Sequence, residues 1–252
     1  MRLGQLVVPN GSIKIHLPEL PALAIRSSRA ALASQGLLLG KRSRPLAIEI
    51  PDGSIYVDAP DLNQPTNYSC ALAAASIARL YGVGPGTVEE FLRGMKTKRS
   101  GTNAVDIARY MNEIGLDAKI QENMSKDDLM DLLDEEVSTI LAIQAYAEDP
   151  SEYDDPDIHD NGHYVASIGY SRGAAQVVAK ARKQRAKKDD YFYFMDPSLL
   201  CRYGYLAWAE LDKRWHDNDG TRSRPKISWH RGIVIRPNGH KPVHATVAER
   251  IE

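Results

Sequence analysis

Cysteine is scarce in this sequence, net charge is almost absent, and there is no long apolar run. Only two cysteines, Cys70 and Cys201, occur in 252 residues. Two are too few for a disulfide framework or for a zinc site built from cysteines alone. The 32 basic and 33 acidic side chains give a formal net charge of -1, so no overall field would attract nucleic acid. We therefore expect no nucleic-acid partner and no cofactor.

The absence of a long apolar run excludes a membrane span. No run approaches the roughly 18–20 apolar residues that cross a bilayer, and the N-terminal residues lack the apolar stretch of a secretory signal peptide. A cytoplasmic location is the expectation, with non-classical export or a virus-like particle left open. The hydrophobic fraction of 43% is ordinary for a globular protein and excludes wholesale disorder.

The N-terminal part differs in composition from the rest of the chain. It contains several prolines and a basic run, with a short helix predicted over Leu23–Leu39 and a hairpin turn over Pro51–Gly53. We predict an N-terminal extension over residues 1–55, either propeptide-like or a docking segment for an accessory protein. After it we expect a single domain over residues 56–236 and a C-terminal tail over residues 237–252.

The hydrophobic period changes along the domain from about 3.6 to about 2 residues. The first part predicts four helices: Asn67–Tyr81, Thr87–Met95, Thr102–Ile114 and Ser125–Leu133. The second part predicts strands: Ser138–Tyr146, His163–Tyr170, Tyr191–Met195 and Trp229–Ile235. Helices followed by strands predict an α+β fold, in which the helical half packs on an antiparallel sheet.

Cys70 lies where a polar loop passes into the alanine-rich helix. The positive end of the helix dipole favours a thiolate at such a place, but a nucleophilic thiol also needs a base that a third group orients. His163 begins an apolar strand directly after Gly162, which permits close approach of another segment. Asp196 directly follows the strand Tyr191–Met195, and neighbouring antiparallel strands would place it beside His163.

Gln64 precedes Cys70 in the same loop. Its amide N–H could stabilise an oxyanion together with the backbone N–H of Cys70. Spacing alone leaves plainer interpretations open: a buried structural cysteine, a histidine that is merely hydrogen-bonded, and an Asp-Pro turn at Asp196.

The order Gln, Cys, His, Asp resembles the papain-like cysteine peptidases, specifically the C39 and C39-like bacterial family. The resemblance spans Ile55–Ile235 and rests on four blocks in family order. They are Gln64–Cys70 with the helix up to Gly82; Gly101-Thr102 with Gly115-Leu116; Gly162–Val165 with Ile168–Tyr170; and Met195–Ser198 with Gly204–Leu206, Glu210-Leu211 and Arg214–Asp217.

This resemblance implies a papain-like fold and hydrolysis of a peptide or isopeptide bond through a thioester. It implies that Cys70 is the nucleophile, His163 the general base and acid, Asp196 its orienting group and Gln64 the oxyanion donor. The family has Gly after the nucleophile where this sequence has Ala71, which narrows the approach to the sulfur. Two alternatives stay open: a catalytically silent peptide-binding or assembly module, and a papain-like acyl transferase.

Two charged segments flank the histidine strand. The acidic segment Glu148–Asp160 precedes it, and the basic segment Lys180–Lys188 follows it. Both are predicted to be solvated surface, and the acidic one could favour a basic peptide substrate if it borders the cleft. Although it contains His159, its spacing fits no metal-ligand motif, and we expect no metal ion.

Cys201 matches no functional position of the family. A free structural thiol is the main interpretation, with pairing to Cys70 or contact with an external partner as alternatives.

Overall fold

The computed structural model describes residues 54–147, 149–154, 161–173, 189–199, 203–220 and 224–240. Apart from Ser54, they belong to one compact unit that spans Ile55–Gly173 and Asp189–Glu252. The predicted N-terminal helix and hairpin turn, the basic segment and Cys201 lie outside the described residues. Their predictions therefore stay predictions.

The four predicted helices are confirmed, with a short one added near the end. They are α1 Leu72–Leu80, α2 Val88–Gly94, α3 Ala104–Glu113, α4 Lys126–Asp134 and α5 Trp208–Arg214. Local signals set several of their ends. Thr87 accepts a hydrogen bond from the N–H of Glu90 at the start of α2, and Ser125 forms a capping box with Asp128 at the start of α4. None of the helices in the described ranges is long and apolar enough to cross a bilayer.

Helix α1 begins later than its sequence predicts. Asn67 and Ser69 have the side chains of helix caps, but the N-cap is Ala71 and no side chain caps the helix. The Ser69 hydroxyl instead donates to the carbonyl of Thr66 and accepts from its N–H, at 2.8 and 3.1 Å. Ser69 therefore closes the turn before the helix. The residues of α1 are nearly all buried, and four of the nine are alanine, which lets the helix lie close to the sheet.

The strands form a seven-stranded antiparallel sheet in the order β2-β9-β3-β4-β5-β6, with β1 paired to β4. Their bounds are β1 Ile55–Tyr56, β2 Asp117–Gln121, β3 Thr139–Gln144, β4 Gly162–Ser171, β5 Tyr191–Met195, β6 Tyr203–Ala207 and β9 Gly232–Arg236. A separate hairpin pairs β7 His216–Asn218 with β8 Ile227–Trp229. The predicted α+β class is confirmed.

The structure has two strands where the sequence predicts one last strand. Trp229 ends β8 and Gly232 begins β9. Between them His230 adopts a φ of 45°, a left-handed conformation that breaks a strand. Its ring stacks on Trp215, with the centroids 5.0 Å apart.

The centre of the sheet is covered on both sides. Helices α1 and α4 pack against β4, while α5 and β7 pack against β3. As a result β3 is buried along its whole length and β4 is buried from His163 onward. The central strands therefore hold their side chains in fixed positions away from water.

Gly169 allows β1 to pair closely with β4 beside a bulge. The register of β4 against β5 shifts between Ser167 and Gly169, and a Cβ at Gly169 would overlap the carbonyl oxygen of Ile55. Because that oxygen belongs to backbone, Gly169→Ala is expected to lower the free energy of unfolding by about 1–3 kcal/mol. Chemical denaturation of the purified chain measures this loss.

Gly86 provides the matched control for this substitution. A Cβ at Gly86 would meet nothing within 4 Å, so Gly86→Ala is expected to leave the unfolding midpoint unchanged. Equal midpoints for the two alanine variants would show that β1 does not lie tightly against Gly169 in solution.

Candidate active site

His163 and Asp196 form the centre of the site. His163 is the second residue of β4, and Asp196 directly follows β5. The pairing of Ala166 with Met195 sets these strands side by side. His163 Nε2 lies 2.8 Å from Asp196 Oδ1, and both residues are buried.

Cys70 reaches the same histidine from the helical side. Its thiol contributes, by hydrogen bonding and charge, to raising the pKa of the His163 ring. Since Nε2 bonds to Asp196, Nδ1 is the ring nitrogen left for the thiol. Cys70 lies in the turn that leads into α1, where its carbonyl accepts from the N–H of Ala73 at 3.0 Å. The structure thus brings Cys70, His163 and Asp196 into one chain of contacts, with Cys70 8% exposed.

The electrostatics of the site favour a charged histidine. Burial lowers the pKa of His163, but the charge and hydrogen bond of Asp196, together with Cys70, outweigh burial and raise the pKa to about 10. Burial raises the pKa of Asp196, whereas His163 and the other hydrogen-bond donors outweigh burial and hold it below its ordinary value. At neutral pH the two side chains are therefore an imidazolium and a carboxylate.

Asp196 accepts hydrogen bonds on both carboxylate oxygens. Oδ1 also accepts the N–H of Ser198 at 2.9 Å, and Oδ2 accepts the hydroxyl of Tyr146 at 2.5 Å. Burial and the charge of Asp196 raise the pKa of Tyr146, so this hydroxyl remains a donor. These bonds fix the plane of the carboxylate that faces His163.

Sequence reasoning missed Tyr146. It is the last residue of the predicted strand Ser138–Tyr146, and its residue type gives no sign of a special place. Its φ of 61° turns the chain away from β3, and this conformation is uncommon for any residue with a side chain. An aromatic residue two positions before the acidic segment was the available signal, but a strand of buried and aromatic residues explains it equally well.

Gln64 lies in a loop that is anchored beside Asp196. Its backbone N–H donates to the carbonyl of Pro197 at 2.8 Å. Its side-chain oxygen is buried without a hydrogen-bond partner among the described residues. The loop is held further by the hydroxyl of Tyr203, which donates to the carbonyl of Ala59 at 3.0 Å.

Gly162 allows close approach of another segment, as its position before His163 predicts. A Cβ there would overlap Oδ1 of Asp217, which lies on β7. The acidic segment before Gly162 is described only in part, with Asp149 exposed and Glu152 half-buried. Within the described ranges, no group of three or more His, Cys, Asp or Glu residues could hold a metal ion.

Comparison with known proteins gives matches among solved structures. No family model matches the chain, and no curated protein matches it. A protein described as a C39-like peptidase from Bacillus anthracis is 12% identical, with a TM-score of 0.48 over 71% of this chain and 98% of that chain. The chain resembles C39 peptidase domains.

Two peptidases of transporters match over similar lengths. A double glycine motif protease from an AMS/PCAT transporter, in complex with its leader peptide, is 15% identical, with a TM-score of 0.47 over 72% of this chain and 94% of that chain. The peptidase domain of Streptococcus ComA, a bifunctional ABC transporter of a quorum-sensing pathway, is 15% identical, with a TM-score of 0.43 over 70% of this chain and 97% of that chain. These likenesses concern the fold.

Proposed function

We propose that the chain is a cysteine peptidase that hydrolyses a peptide or isopeptide bond. One observation carries this proposal: the ring of His163 bonds to the carboxylate of Asp196, and the thiol of Cys70 acts on the pKa of the same ring. A nucleophile, a base and a group that orients the base are the minimum for acyl transfer through a covalent intermediate.

In the proposed first step the sulfur of Cys70 attacks the carbonyl carbon of the substrate. The imidazolium of His163 stabilises the thiolate beforehand, and its proton then passes to the leaving amine as the C–N bond breaks. The product of this step is a thioester on Cys70 and a free amine. Asp196 keeps the imidazole ring in the orientation that directs Nδ1 toward the thiol.

The second step releases the acid. His163, now neutral, accepts a proton from water, whose oxygen attacks the thioester carbonyl. The C–S bond breaks, the acyl group leaves as a carboxylic acid, and Cys70 is again a thiolate beside the imidazolium of His163, as at the start of the cycle. No oxidant, reductant or metal ion is needed for this cycle.

We propose that Gln64 and the backbone N–H of Cys70 stabilise the oxyanion that forms in each step. The N–H of Cys70 precedes the first turn of α1 and has no partner within the helix. The bond from Gln64 to Pro197 holds the Gln64 loop next to Asp196, which supports a position near the reacting carbonyl. Donors fixed in this way stabilise the oxyanion without reorganisation.

The proposed substrate is a peptide or protein segment. The acidic segment before Gly162 supports a preference for basic side chains. Of its described acidic residues, Asp149 is exposed, and a negative surface charge repels acidic substrates and attracts basic ones.

Alkylation of Cys70 tests the proposed function directly. In a Cys201→Ser background, iodoacetamide at neutral pH is expected to label Cys70, as measured by peptide mass mapping, and to stop hydrolysis of a peptide library in step with labelling. His163→Ala is expected to slow labelling by about tenfold or more, because the thiolate loses its counter-ion.

The outcomes separate the alternatives. A Cys70 that reacts only after unfolding would contradict the proposal and favour a binding module without catalysis. A buried, unreactive thiol, such as the burial of Cys70 would then indicate, is what such a module would contain. If added amines yield a ligated product in place of the acid, the same site is an acyl transferase.

A further inference from the structure

Tyr146 is a partly exposed residue whose side chain contacts two buried residues of the site. Its side chain is 48% exposed, although its hydroxyl bonds to the buried Asp196. Its ring also lies edge-on to His163, with centroids 5.3 Å apart and an interplanar angle of 82°. One side chain thus touches both members of the His163–Asp196 pair and covers the pair on its outer side.

The backbone of Tyr146 is held in an unfavourable conformation. A φ of 61° suits glycine and is costly for a tyrosine. The residues on both sides are fixed by hydrogen bonds: the N–H of Ala145 donates to the carbonyl of Asn161 at 2.9 Å, and that of Ala147 donates to the hydroxyl of Tyr153 at 2.8 Å. Such a conformation persists only where its surroundings impose it.

The segment is also anchored from β3. The amide nitrogen of Gln144 donates to the carbonyl of His216, and its oxygen accepts the N–H of Asn161, both at 3.0 Å. These bonds fix the backbone on both sides of Tyr146, whose hydroxyl reaches Asp196 from this position. The strain is explained if the tyrosine side chain itself is needed there.

We propose that Tyr146 is a positioning residue for the His163–Asp196 pair, acting through its hydroxyl on Asp196 and through its ring on His163. This inference rests on the proposed function. The hydroxyl fixes the carboxylate plane, and the ring limits the access of water to the bond between Asp196 and His163. Water that reached this bond would compete for the carboxylate and loosen the orientation of the imidazole.

Tyr146→Phe isolates the hydroxyl, because the ring and the backbone conformation stay. We expect kcat to fall about tenfold with KM unchanged, as for loss of one hydrogen bond to a charged group. Asp196 then lacks a donor, so its protonation moves to higher pH by about one unit. The ring signals of His163 in NMR titrations report this protonation as their acid-side inflection.

Tyr170→Phe is the matched control. It is the same chemical change, because the Tyr170 hydroxyl donates to a carboxylate, Asp134 Oδ1, at 2.6 Å, and it does not touch Asp196. We expect kcat and the acid-side inflection to stay at the values of the unaltered chain. Equal losses in the two variants would overturn the proposal, because they would show a general effect of removing a tyrosine hydroxyl.

Tyr146→Gly gives a second, independent variant. Glycine adopts a φ of 61° without strain, so this chain is expected to fold, while both the hydroxyl and the ring are gone. We expect kcat to fall further than in Tyr146→Phe, and an unchanged kcat would contradict the proposal. If the unaltered chain hydrolyses no peptide, the proposed function fails, but the NMR inflection still decides whether Tyr146 positions Asp196.

Discussion

Replacing Cys70 with alanine is expected to lower peptide hydrolysis by on the order of 10⁴-fold or more. The sulfur is the only atom of the site that forms a covalent bond to the substrate in the proposed cycle. Alanine suits the turn into the alanine-rich α1, so the variant is expected to fold with an unchanged unfolding midpoint. Rates of hydrolysis of a peptide library, measured on chains with matched circular dichroism, test this.

Cys201→Ala makes the same chemical change at the second cysteine and serves as the control. The sequence assigns Cys201 no functional position, so hydrolysis by this variant is expected to equal that of the unaltered chain. A Cys70→Ala chain that hydrolyses the library at the original rate would show that another group, or a contaminating enzyme, performs the reaction. Loss of activity in both variants would reopen the pairing of the two cysteines.

The parts of the fold that the sequence predicts well depend on residues a few positions apart. Ser125 and Asp128 bond to each other at the start of α4, and Gly115, with a φ of 101°, follows the end of α3. Strand β5 has the predicted bounds, Tyr191–Met195, because Pro197 cannot continue the ladder. Such signals do not require knowledge of the rest of the chain.

The differences arise where distant segments decide the local structure. The loop before α1 is held by bonds to Pro197 and from Tyr203, so the cap-like side chain of Ser69 serves the loop and not the helix. Strand β2 exposes most of its residues and exists because β9 pairs with it. Neither contact is visible in a short window of sequence.

In the candidate site, too, the sequence indicates some residues, while others depend on contacts between distant segments. The motif order pointed to Cys70, His163 and Asp196. Strand pairing brings His163 and Asp196 together, while Cys70 comes from the turn before α1, which packs on β4. Tyr146 escaped prediction because its contact with Asp196 depends on a left-handed backbone turn. Residue type does not indicate such a turn in a tyrosine.

Replacing Asp196 has the second largest expected effect, and two variants separate its roles. Asp196→Ala removes the acceptor for His163 and is expected to lower kcat by on the order of 10³-fold. Asp196→Asn keeps an oxygen for His163 and Ser198 but removes the charge, so its loss is expected to be smaller. Steady-state kinetics measure both, and equal losses would show that charge, not orientation, is the main contribution of Asp196.

The charge of Asp196 also sets the pH dependence of catalysis. The pKa of His163 is about 10 because Asp196 outweighs the effect of burial. In Asp196→Asn that support is gone and only Cys70 still opposes burial, so the pKa of His163 falls. The alkaline limb of the pH–rate profile is therefore expected to move to lower pH. An unmoved limb would mean that it reports a group other than His163.

The free energy of unfolding should change with pH in opposite directions when Asp196 is present and when it is replaced by Asn. Both chains are compared in a Cys70→Ala background, so that no thiol gains or loses a proton beside the ring. With Asp196 present, the raised pKa of His163 adds stability that is fully present below about pH 6.5 and is lost as the pH rises toward 10. The lowered pKa of Asp196 adds stability that is lost only as the pH falls through its folded-state value. Between pH 7 and 9 the free energy of unfolding of the chain with Asp196 is expected to fall by up to about 1.4 kcal/mol per pH unit from this pair.

In Asp196→Asn the buried His163 releases its proton on folding. Its contribution to the free energy of unfolding therefore rises with pH up to the pKa of the unfolded histidine and then stays level. Urea denaturation of Cys70→Ala chains with and without Asp196→Asn, at pH 6 and pH 9, isolates the difference, because all other ionisable groups are shared and no thiol titrates beside the ring. A parallel change in the two chains would show that the folded state does not hold His163 as an imidazolium. In that case the thiolate of Cys70 would lack its counter-ion, and the proposed first step would have to begin from the neutral pair.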